Sequence, residues 1–143
     1  MDEFMRAAME EALKGMQEGG VPIGSVLVVD GEIVGRGHNR QRQMDSIIRH
    51  AEMDCIDDAS HLTSAEFRRA ILYTTLSPCD MCSGAILFFK IPKVVIGENQ
   101  NILGAEDYLR SRMVELEVLN DAGCIQMLSE FDQMYPGRWN KGE

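Results

Sequence analysis

Two short runs hold the side chains best suited to chemistry: His50-Ala51-Glu52 and Pro78-Cys79-Asp80-Met81-Cys82. Together they offer one imidazole, one carboxylate and two thiols. Zinc favours tetrahedral nitrogen and sulfur donors, and its catalytic sites use three protein ligands with the fourth position left to water. His50, Cys79 and Cys82 make three. Cys79 and Cys82 are three residues apart, so on the first turn of a helix their sulfurs fall on one face. Pro78 suits a helix start, where its missing N–H belongs to the set left unpaired anyway. The partial positive charge of that helix end favours thiolate over thiol. Glu52 is close enough to His50 to reach a water on the metal without binding the metal itself. Zinc lowers the pKa of such a water to roughly 7, and a carboxylate can take the proton and hand it on.

Other readings use fewer of these groups. A thioredoxin-like redox pair needs no His-X-Glu partner, and its usual Gly-Pro filler is absent between the cysteines. A structural zinc knot is normally closed by four ligands, and Cys55 and His61 have no second short-spaced partner. Buried core cysteines leave Pro78 and the His-X-Glu unexplained. A catalytic zinc centre uses all four side chains.

The chain that must position them has 143 residues, which predicts one domain over 1–143 with roughly two-thirds of its unfolded surface buried. No segment approaches the roughly 18 apolar residues that span a bilayer. The start, Met1-Asp2-Glu3, is acidic where a secretory signal is basic and then apolar. The cytoplasm is the expected compartment, where four cysteines serve better as metal ligands than as disulfides. A net charge of −9 opposes tight binding to nucleic acid. Arg36, Arg40, Arg42 and Arg49 read as scattered surface cations.

Residues 2–17 carry Met5, Ala8, Met9, Ala12, Leu13 and Met16 at helical spacing, a buried stripe stopped by Gly19-Gly20. Gly24 to Val29 reads as a strand, Asp30-Gly31 as a type I′ hairpin turn, and 32–37 as the returning strand. His38 reads as a structural histidine. Asn39 is either a turn residue or a pocket group that both donates and accepts. Residues 40–49 read as loop. From His50 a helix buries Ala51, Cys55 and Ala59 and turns Asp54, Asp57 and Asp58 to water. A linker over 61–69 admits a short helix from Ser64. Next come a strand over 71–76, the cysteine helix to about Lys90, and an apolar strand over 93–97. The loop Glu98–Asn101 then lies where open α/β sheets place ligands. A helix over 105–112, a strand over 114–119 and a helix from an Asp121 N-cap complete the chain. In that last helix Ile125, Leu128, Phe131 and Tyr135 mark the buried side. The order αββαβαβαβα fits one sheet with helices on both faces.

His-X-Glu followed by Pro-Cys-X-X-Cys is the signature of zinc-dependent base deaminases. With Glu18–Gly24, Gly35–Asn39, Tyr73–Ala85 and Gly97–Asn99, the chain resembles the cytidine deaminase superfamily, and within it fungal-type cytosine deaminase. The resemblance implies a three-layer α-β-α sandwich with a five-stranded mixed sheet, a homodimer and one zinc per subunit. It implies that Asn39 and the Ala51 backbone N–H hold the pyrimidine edge, that the Ser77 carbonyl accepts from the exocyclic amine, and that Trp139 packs on the base. The implied reaction is hydrolytic deamination of cytosine to uracil and ammonia, with Glu52 shuttling protons from the zinc-bound water to N3 and then to the leaving amine. Three positions depart from the fungal pattern. Ala51 replaces a glycine, as in tRNA adenosine and guanine deaminases; Ile102 stands where an aromatic is expected; and Glu143 is the only acid near the expected tail position. The rival enzymatic readings are a tRNA adenosine deaminase and a deaminase of guanine, isocytosine or another free amino-heterocycle. A zinc-stabilised binding module is the non-enzymatic one.

Overall fold

All six residues of β1 (Gly24–Val29) are buried, so this strand needs cover on both faces and a neighbour on each edge. A computed structural model, which describes residues 2–141, shows how both are met. β2 (Glu32–His38) pairs antiparallel along one edge of β1, and β3 (Ala70–Thr74) pairs antiparallel along the other. β4 (Lys93–Ile96) and β5 (Glu115–Val118) extend the sheet parallel to β3. The result is the expected five-stranded mixed sheet, in the order β2-β1-β3-β4-β5. Asp30 and Gly31 have φ of 52° and 79°, the two left-handed residues that a type I′ turn requires.

Side chains alternate across the sheet with period two. Leu27, Val29, Leu72, Val94 and Ile96 share one apolar cluster with Cys55 and Ile56 of α3 (Ala51–Asp58), Ile86 of α5 (Asp80–Phe88) and Leu109 of α6 (Glu106–Ser111). Val26, Val28, Tyr73 and Val95 point the other way, onto Met5 and Ala8 of α1 (Glu3–Gln17) and Cys124 of α7 (Ala122–Met134). The three-layer sandwich follows from that alternation. Among the described residues no helix is long and apolar enough to cross a membrane.

Several expectations need correction. On α1 the buried stripe is Met5, Ala8, Glu11, Ala12 and Gly15, whereas Leu13 and Met16 are exposed. The helix approaches the sheet so closely that a Cβ on Gly24 would strike the Ala8 carbonyl and the Ala12 nitrogen, so small residues take the inner face at that point. The polar stretch after β2 contains one helical turn, α2 (Gln41–Met44), which ends on Asp45 at a left-handed φ of 49°. Asp54 is not turned to water. It accepts from Arg40 at 2.8 Å and from the His38 backbone N–H, with Arg49 at 3.5 Å. Arg36, Arg40 and Arg49 are therefore paired cations, since Arg36 also meets Glu11 at 3.7 Å. α7 starts on its Asp121 cap as expected but stops at Met134, which leaves Tyr135 exposed.

Candidate active site

Beyond Thr74 the chain leaves β3, and the Ser77 N–H donates to the Glu98 carbonyl at 2.9 Å. Pro78 then delivers Cys79, which is the N-cap of α5 with extended backbone, and its sulfur accepts from the Cys82 N–H. Pro78 thus precedes the cap and does not occupy the first helical position. On the facing element His50 caps α3 in the same extended conformation, so Ala51 and Glu52 are the first two helical residues. Gly37 of β2 seats α3, for a Cβ there would strike the Cys55 backbone nitrogen.

These two helix starts bring three donors together. His50 Nδ1 lies 3.4 Å from Cys79 Sγ and 3.5 Å from Cys82 Sγ. All three donor atoms are within 4.8 Å of one another, and among the described residues no fourth His, Cys, Asp or Glu joins them. Tetrahedral zinc with ordinary bond lengths holds nitrogen and sulfur ligands about 3.6 Å apart, so the donor set fits that ion with one position to spare. Cys55 and Cys124 are core residues instead, and none of the four cysteines forms a disulfide.

The charges are set by proximity. Hydrogen bonding from the Cys82 thiol, then from His50, pulls the Cys79 thiol down to about 4. Cys82 moves up, because it lends Cys79 its proton and is itself buried. The hydrogen bond with Cys79 raises His50. Glu52 is 4 % exposed, and burial pushes its carboxyl up to about 7 against the opposing pull of His50. A carboxyl in that range gives up and regains a proton readily at neutral pH.

A cavity of about 580 Å3 opens over this cluster at the C-terminal end of the parallel strands, and Asn39, Ala51, Glu52, Ser77, Ile102 and Trp139 all line it. Trp139 is buried in an apolar cluster with Ile23, Ala51, Leu76 and Phe131. The Ser77 hydroxyl donates to Glu106 at 2.6 Å and accepts from the Gly104 N–H at 2.9 Å. His38 is fully buried with its ring nitrogens 3.0 Å from Glu11 and 2.8 Å from Glu18, a structural role as expected. Glu143 lies outside the described residues. The loop Glu98–Asn101 is folded onto the buried Glu98 carboxylate, which accepts from the Gln100 and Asn101 N–H groups. The cavity wall is the next stretch, Ile102 to Gly104. Sequence reasoning missed Gln41 and Lys141 on the lining and Glu106 behind Ser77. Only the position of Gln41, two residues past Asn39, could have pointed to it.

Residues 1–98 match the cytidine and deoxycytidylate deaminase zinc-binding region, and the chain belongs to that family of deaminases. It is 41% identical over 138 residues to the cytosine deaminase of Candida albicans, covering 96% of this chain and 92% of that one. It is 45% identical over 139 residues to the tRNA-specific adenosine deaminase of Bacillus subtilis, covering 90% and 86%. A solved structure from a study of A-to-I editing by tRNA:A34 deaminases superposes with a TM-score of 0.76 at 31% identity, over 87% of this chain and 98% of that one.

Proposed function

We propose that this chain, through a single catalytic domain, deaminates a free nucleobase by zinc-dependent hydrolysis, with cytosine going to uracil and ammonia. The observation that carries the proposal is the placing of Glu52, a buried carboxyl that lines the same cavity as His50 and Cys79 of the three-donor cluster. Zinc held by His50, Cys79 and Cys82 supplies the Lewis acidity that makes water a nucleophile near neutral pH. Glu52 takes a proton from the attacking water and passes it to ring nitrogen N3 as oxygen bonds to C4. Glu52 then takes the remaining proton from the new C4 hydroxyl and delivers it to the amino nitrogen, the C4–N bond breaks as C4=O forms, and ammonia leaves. Asn39 and the Ala51 N–H hold the O2 edge, the Ser77 carbonyl accepts from the amine, Trp139 and Ile102 enclose the ring, and Glu143 is the tail acid. The protein works as a cytoplasmic homodimer. A buried carboxyl held for proton transfer argues against a zinc-stabilised binding module.

Support for cytosine comes from the nearly full-length likeness to the Candida enzyme and from a net charge of −9, which opposes a polyanionic RNA substrate. The second reading, a tRNA adenosine deaminase, is favoured by the Bacillus likeness and by Ala51 between His50 and Glu52. Ammonia release measured over cytosine, isocytosine, guanine, adenine, cytidine and a tRNA anticodon stem-loop separates them. Turnover of cytosine is expected. Ammonia from the stem-loop and from no free base would replace the first reading with the second.

A further inference from the structure

The Asn39 carboxamide lines the cavity and is 2 % exposed, so the placing of its oxygen and nitrogen decides which base edge can dock on it. A carboxamide oxygen and nitrogen have nearly the same shape, and only their neighbours tell them apart. Here two backbone groups fix the choice. The Ile47 carbonyl can only accept, so Gln41 turns its Nε2 there, at 2.9 Å. Gln41 Oε1 is left to face Asn39, whose Nδ2 donates to it at 3.1 Å. The Gln41 backbone N–H can only donate, and it does so to Asn39 Oδ1 at 3.2 Å. All three bonds agree on one orientation of both side chains.

A carboxamide carries two N–H groups and two oxygen lone pairs. Gln41 engages one of each on Asn39, which leaves that carboxamide, on the cavity lining, one N–H and one oxygen lone pair for a ligand. We infer that Gln41 is a positioning residue for base selection, holding the Asn39 carboxamide so that it pairs with a carbonyl and an adjacent N–H on the substrate ring. The inference rests on the deaminase reading given above. Free cytosine presents that pair as C2=O and N1–H. In a nucleoside the sugar occupies N1 and the donor is gone, so the fixed carboxamide prefers the free base.

The test compares wild type with Gln41→Met, which keeps length without polar ends, and Gln41→Glu, which can accept from Asn39 but cannot donate to Ile47. The readouts are kcat and KM for cytosine, inhibition by 1-methylcytosine, zinc content and thermal midpoint. Gln41→Met is expected to raise KM for cytosine about tenfold, the effect of roughly one hydrogen bond, with kcat changed less than threefold, whereas Gln41→Glu, which still accepts from Asn39, is expected to raise it less than Gln41→Met. Inhibition by 1-methylcytosine, which lacks the N1–H, changes less than the cytosine KM, so the preference between the two narrows. Should Gln41→Met fail to fold, the smaller Gln41→Ala, which also removes the acceptor facing Asn39, gives the same readouts. In the variant lacking the acceptor, a cytosine KM within twofold of wild type, or equal weakening for both ligands, overturns the inference alone. A wild type that releases ammonia from no free base overturns the reading beneath it.

Discussion

Burial raises the Glu52 carboxyl, the proton carrier of the proposed reaction. Removing its charge while keeping its shape should isolate that role: Glu52→Gln is expected to lower the rate about 10²- to 10⁴-fold with zinc content unchanged. Ammonia release and metal analysis on one preparation check both halves, and a near-normal rate would remove Glu52 from the mechanism. Glu18 shows the opposite displacement. Its hydrogen bond with His38 holds its carboxyl below the usual carboxylate range. A carboxylate favoured in the folded state adds stability above its unfolded pKa, about 4.3, and loses it as pH falls through the lowered folded value. Glu18→Gln should therefore lower the thermal midpoint by about 1–3 °C at pH 7, and the gap to wild type should close below about pH 4. A gap that persists in acid would mean that the carboxylate charge is not what counts. At this scale the sequence was legible where chemistry imposes a spacing. His50, Cys79 and Cys82, which the fold gathers into one cluster, and Glu52 on the cavity beside them stand out because the proposed metal and proton chemistry dictates residue type and separation. Gln41 and Glu106 do not, because each acts on a neighbour through a fold of the chain that no periodicity announces.

Elements were legible where the hydrophobic pattern is simple. The β1–β2 hairpin is written in a fully apolar strand followed by Asp30-Gly31, and the structure has both left-handed residues in place. The pattern misled on α1, because closeness of approach to the sheet, and not hydrophobicity, chose Ala8, Ala12 and Gly15 for the inner face. It was silent on α2, whose four residues include only one apolar side chain, Met44. The stretch carrying Ile102 and Leu103 over the cavity depends on Gly104, where any Cβ would strike the Pro78 carbonyl. Gly104→Ala should push that stretch off Ser77 and raise KM for the base severalfold, with destabilisation of about 1–3 kcal/mol from overpacking. Steady-state kinetics and thermal melts check this, and an unchanged KM would show that the wall adjusts without consequence.

For the molecule as a whole, the two-faced core sets the architecture, and its alternation was readable in advance. The identity of the base was not, because it depends on cavity groups drawn from segments far apart in sequence, from Asn39 to Trp139. Overall charge makes its own prediction. At −9, the chain should bind a tRNA stem-loop weakly at physiological ionic strength, and a fluorescence titration across salt concentrations should give a shallow slope. Tight, steeply salt-dependent binding would point to a local basic surface and to the RNA reading.

His50 and the two sulfurs belong to separate stretches of chain that meet only at the starts of α3 and α5. An ion gripped there would work as a clasp between them, held by the native state and lost on unfolding. A chelator should then lower the melting temperature by roughly 10 °C, the shift for a ligand near a thousand times its dissociation constant, and re-addition of zinc should restore it. The yield of native protein in a growing cell would accordingly follow how much metal is on hand while the polypeptide is being made.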